Sequence, residues 1–102
     1  MATAVSAPVI SSITFDQASY NTGATMTATV DYTAGVSSSP SVETFTGTAT
    51  DSVTSQVGTL AVTFTVVTDS NDPTAVTGAD TGAHVWTKAS DTGSVAVFTA
   101  VA

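Results

Sequence analysis

The chain of 102 residues contains no cysteine and no arginine, and Lys88 is its single basic side chain. Without cysteine there is no disulfide framework and no thiolate chemistry, and the redox compartment stays open. One lysine against eight acidic residues gives a formal net charge of -7. Nucleic acid is thereby excluded as a partner, because affinity for it comes largely from Lys and Arg neutralising phosphates. An anionic membrane surface is disfavoured for the same reason. No segment approaches the roughly 20 consecutive apolar residues of a membrane helix. Histidine occurs once, at His84, and neither a nucleophile elbow nor an HExxH pattern is present. The expectation is a non-enzymatic protein with no cofactor.

Leucine occurs once and isoleucine twice, whereas threonine occurs 22 times and valine 15 times. Side chains branched at Cβ are stiff at χ1 and suit a pleated sheet better than a helix. The length fits one domain able to bury a core without metal or disulfide staples. Low charge density also leaves sheet edges weakly guarded, so edges call for twist, loops or a partner to cover them.

The most regular stretch is Gly58 to Thr68. Leu60, Val62, Phe64 and Val66 alternate with Thr59, Ala61, Thr63 and Thr65, the period-2 pattern of a strand with one face in a core. Ahead of it, Met1 to Pro8 reads as a flexible or extended arm (residues 1–8), and residues 9–102 as one domain. Val9 to Asp16 reads as a strand with Val9, Ile13 and Phe15 on one face, and Ile10, Thr14 and Asp16 on the other. Gln17 to Gly23 is turn chemistry. Ala24 to Thr33 alternates cleanly, with Met26, Ala28, Val30 and Tyr32 on one side. Ala34 to Ser41 is a loop by composition. Val42 to Thr50 alternates again near a sheet edge, and Gly47 marks a bulge or a close backbone approach. Asp51 to Val57 reads as a turn into the central strand.

Asp69 to Asp72 followed by Pro73 is the strongest break in the chain. A short strand is expected near Thr74 to Thr77, a turn at Gly78 to Gly82, and a strand from His84 to Ala89 carrying Trp86. Ser90 to Gly93 makes a tight connection to a last strand, Ser94 to Ala102. That strand is apolar on both sides: Val95, Val97 and Val101 alternate with Ala96, Phe98, Ala100 and Ala102. Strands at this spacing with turn signals between them spell an antiparallel β-sandwich of about seven strands. In it Trp86 packs toward the central strand, and its indole N–H needs an acceptor.

Asp69, Asn71 and Asp72 are oxygen donors of the kind calcium takes. The cluster lacks the length of an EF-hand loop and its bidentate Glu, so turn capping is the simpler reading. A sugar-binding module would want an exposed aromatic, and Trp86, Tyr20 and Tyr32 are the only aromatics besides phenylalanine.

The run Ile13 to Tyr32, ITFDQASYNTGATMTATVDY, resembles the opening of bacterial and phage immunoglobulin-like domains, with a strand, a Ser-Tyr-x-x-Gly corner and a Thr-alternating strand. His84 to Ala102, HVWTKASDTGSVAVFTAVA, is similar to their closing hairpin. The resemblance covers about two fifths of the chain and implies an Ig-like sandwich. The chain departs from antibody-type domains, lacking the cysteine pair and the tyrosine corner. Domains of this kind decorate bacteriophage capsids and tails or repeat in bacterial surface adhesins. The start MATAVSAPVISS carries no secretion-signal pattern, which favours a phage virion protein made in the host cytoplasm. What the resemblance implies is a capsid decoration protein with the major capsid protein, or another virion protein, as partner, and self-association on the particle. A phage tail domain, or a surface adhesion module binding carbohydrate or cell envelope, is the alternative. Pro8 and Val9 of the arm, with Val95, Val97 and Val101 of the last strand, are the candidate contacts.

Overall fold

A computed structural model describes residues 7–35, 45–68 and 75–102. Eight strands run through it: β1 (Val9–Phe15), β2 (Ser19–Tyr20), β3 (Thr25–Thr33), β4 (Phe45–Ser55), β5 (Gly58–Thr68), β6 (Ala75–Asp80), β7 (Thr87–Asp91) and β8 (Val95–Val101). Two sheets of four strands face each other, ordered β1-β3-β8-β7 and β2-β4-β5-β6. Every pairing is antiparallel except the two-residue contact of β2 with β4. The protein is therefore an all-β antiparallel sandwich, with β2 bringing the strand number to eight.

The central strand lies where its periodicity puts it. Leu60, Val62, Phe64 and Val66 are buried at 4% exposure or less. Met26, Ala28, Val30 and Tyr32 of β3, and Ala96, Phe98 and Ala100 of β8, close the core from the opposite sheet. Phe64 is its hub: its ring centroid lies 5.0 Å from that of Phe98 and 6.0 Å from that of Trp86, the latter edge-on. Such aromatic contacts add about 0.5–1.5 kcal/mol each beyond area burial.

Several local expectations are corrected. In β1 the register slips between Ile10 and Ser12, so the extra residue rotates the strand. Ile10, Ile13 and Phe15 pack on the core, while Val9 faces out, 56% exposed. A strict alternation from Val9 missed this bulge. Asp51 to Val57 is not a turn: β4 pairs with β5 without a break from Phe45↔Thr68 to Ser55↔Gly58. Only Gln56 and Val57 turn, ending on Gly58 at φ 120°. Gly78 to Asp80 belongs to β6, and the turn is confined to Thr81–Gly82. Trp86 precedes β7 rather than lying within it.

Gly78 and Gly47 both mark close approaches. A Cβ on Gly78 would sit 2.8 Å from Phe64 Cε1, and one on Gly47 would collide with the Pro8 carbonyl. Bare backbone lets Pro8 lie buried over β4 and lets the Phe64 ring pack close against β6.

Candidate functional site

The outer face of the β1-β3-β8-β7 sheet gathers four of the five contact candidates. Alternation along β8 turns Ala96, Phe98 and Ala100 inward and leaves Val95, Val97 and Val101 outward. The pairings set Val97 beside Thr29 and Ser90, Val95 beside Asp31, and Val101 beside Thr25. Val9 is beside Thr33 on the same face. Flanking strands half-cover Val95 and Val97, whereas Val101 is 64% exposed. Val9 and Val101 lie at opposite ends of the sheet, so the four valines form a stripe and not a single knob. The fifth candidate, Pro8, is buried over Gly47.

This face is pinned by polar clasps. The two serines of the β1 bulge reach Asp31: Ser11 Oγ donates to its carbonyl at 3.0 Å and Ser12 Oγ to its carboxylate at 2.9 Å. Tyr32, buried from β3, donates its phenol to Asp91 Oδ1 at 2.5 Å. Asp91 also accepts from Gly93 N at 2.9 Å and from Lys88 Nζ at 3.1 Å. Burial, then the bond to Asp91 and its charge, push the Tyr32 phenol up to about 12. Partial burial pushes Asp91 up, but the bonds from Tyr32, Gly93 and Lys88 outweigh it and hold the carboxyl below its ordinary value. A second phenol–carboxylate pair, Tyr20 donating to Asp16, lies at the other end of the sandwich. Burial first, then Asp16, raises the Tyr20 phenol. The single lysine is engaged with Asp91.

A third cluster holds the crossover between the sheets. The Asp80 side chain has no exposure, and His84 lies 3.1 Å away through Nδ1. Asp80 Oδ2 accepts from Trp86 Nε1 at 2.7 Å, and Oδ1 from the His84 backbone N–H at 2.8 Å. The imidazole Nδ1 is buried and has no hydrogen-bond partner among the described residues. Trp86 thus has the acceptor its burial demands. The signal for it was in the sequence, an Asp six residues before the only Trp, but with Gly78 to Gly82 read as a turn Asp80 looked like a solvated turn residue. Through these bonds Asp80, at the end of β6, ties down the segment that leads to β7.

Trp86, Tyr20 and Tyr32 are exposed by 8%, 2% and 4%. None of the three presents a ring face to a sugar. Among the described residues no three His, Asp or Glu side chains come together around a metal position. Asp51 and Asp80 flank Val62 in one row of the β2-β4-β5-β6 sheet. Asp69, Asn71 and Asp72, with residues 1–6 of the expected arm, 36–41 of the expected loop and 42–44 of the expected strand, lie outside the described residues.

No protein-family model matches the chain, and no curated protein or solved structure matches it either. The strand order separates it from antibody constant domains, whose second strand pairs with the fifth. Here β3, the second long strand, pairs with the last.

Proposed function

We propose that the chain is a non-enzymatic structural protein of a bacteriophage particle, a decoration protein that docks on the assembled capsid through the outer face of the β1-β3-β8-β7 sheet. The observation that carries the reading is the valine stripe. Val9, Val95, Val97 and Val101 share one face of a small sandwich whose other outward positions are mostly threonine and serine. Exposed apolar groups rimmed by polar ones mark interaction surfaces. The resemblance of Ile13 to Tyr32 and His84 to Ala102 to phage Ig-like domains supplies the context. The mechanism is mechanical: many copies bind symmetry-related sites, and binding only to the assembled shell stabilises it by mass action. With its net charge of -7, the chain suits a partner with local positive charge. Particles purified by density from the source culture test this when probed with antibody to the chain. The protein at regular, saturable positions on capsids supports the proposal. Its confinement to tails favours the tail-domain alternative, and its presence only on cell surfaces favours an adhesion module.

A further inference from the structure

The four sheet edges are not equally protected. β1 follows Pro8 and is broken by its bulge. β7 is five residues long, carries Lys88 and has a register shift between Lys88 and Ser90. β6 is six residues long and ends on Asp80. β4 has 11 residues, of which β2 covers only Thr54 and Ser55, so among the described residues Phe45 to Val53 is an open edge. It contains no Pro, no Lys and no register break, the devices by which edges ordinarily avoid pairing. Its only charge is Asp51.

Backbone direction identifies which groups this edge offers. Gln56 N bonds to Tyr20 O across the β2 side, and amides of like parity along a strand point the same way. The even-numbered amides of β4 therefore face the open edge. That of Ser52 is satisfied by Asp51 Oδ1 at 2.8 Å. Thr46, Thr48 and Thr50 remain, and no backbone or side-chain group among the described residues bonds to them. All three side chains are exposed on the outer sheet face.

We infer that two copies of the chain pair through β4, antiparallel about a two-fold axis at Thr48, making one continuous sheet. Three open amides centred on Thr48 fix that register: Thr48 meets its own copy and Thr46 meets Thr50, each pair exchanging two hydrogen bonds. A second copy is the fitting occupant because the edge is self-complementary, as a two-fold interface requires. Asp51 falls opposite Phe45 rather than opposite the other Asp51, so no like charges meet among the described residues. Among the described residues the paired stretch runs from Phe45 to Asp51. This pairing does not depend on a capsid partner and uses a different sheet from the docking face.

Sedimentation equilibrium of the full chain tests it, with Thr48→Lys and Thr48→Glu as exposed substitutions that leave the core alone. Wild type should dimerise, and either variant should associate about tenfold or more weakly, because like charges then meet across the axis. An equimolar mixture of the two variants should recover the dimer. Three results overturn the inference: a wild type monomeric up to millimolar concentration, a Thr48→Lys variant that dimerises like wild type, or a dimer abolished by removing residues 1–6 while Thr48→Lys leaves it intact. The last would assign the edge to the arm.

Discussion

Removing the carboxylate of Asp80 probes the clamp between the sheets. Its side chain is fully buried and receives the Trp86 indole N–H and the His84 backbone N–H. Asp80→Ala leaves both donors without an acceptor, at about 1–3 kcal/mol each. Relief of a buried charge offsets part of that cost, so the expected loss is about 2–4 kcal/mol. Trp86→Phe removes one donor but keeps an aromatic against Phe64 and Phe15, at ring separations of 6.0 and 6.3 Å in the parent. The double variant isolates the bond, since a hydrogen bond to a charged group contributes about 1.5–3 kcal/mol. Urea unfolding followed by far-UV circular dichroism reads all four proteins, the tryptophan being lost in two of them. A coupling below about 0.5 kcal/mol, the scatter of independent sites, would refute the claim that Asp80 and Trp86 act as one unit.

Three further outcomes follow from the packing. Gly78→Ala puts a methyl 2.8 Å from Phe64 Cε1 and should destabilise by about 1–3 kcal/mol through overpacking, measured by denaturant midpoint; an unchanged midpoint would contradict the close approach. The Tyr32–Asp91 bond should make the stability difference between wild type and Tyr32→Phe depend on pH at both extremes. The Asp91 contribution, from a lowered carboxyl, is present above the ordinary value of about 3.9 and is lost as pH falls through the native value. The Tyr32 contribution is full below the ordinary value of about 10 and is lost as pH rises through about 12. Thermal melts at pH steps check this, and a difference that grows above pH ~10 would have the wrong sign. Deleting Ser11 should remove the β1 bulge and force either Val9 inward or Ile13 and Phe15 outward, lowering stability by about 2–4 kcal/mol as buried apolar groups are lost; a neutral deletion would mean the bulge does not set the register.

Much of the fold was legible because two strands state it without ambiguity. In β3 and β5 every second residue is apolar and the others are mainly threonine, so burial follows parity directly. The errors arose where backbone geometry overrides alternation. A bulge adds a residue without changing composition, so Ser11 and Ser12 carry no sign of the phase shift they cause. Gly78, Ala79 and Asp80 read as a turn by composition. Glycine there serves instead to admit the Phe64 ring, and Asp80 points into the core to meet Trp86. Likewise Asp51 to Ser55 is polar enough to read as a loop, yet it continues β4, because near the sheet edge outward side chains can be polar along the whole strand. The valine stripe was half legible: alternation gave the outer parity of Val95, Val97 and Val101, but only pairing to Thr29 and Ser90 determines which of them is covered. The burial of Pro8 over Gly47 was not legible for the same reason as that of Asp80, since a contact made across the sandwich is invisible to local pattern.

The docking face is tested most directly by competing wild-type chain against Val101→Asp and Val97→Asp for incorporation into particles, with thermal melts verifying that each variant is folded. Because a carboxylate replaces an apolar contact at either position, each folded variant should be depleted on particles by about tenfold or more relative to wild type. Incorporation of both variants at the wild-type level would contradict the assignment of the β1-β3-β8-β7 face as the surface through which the chain binds its shell.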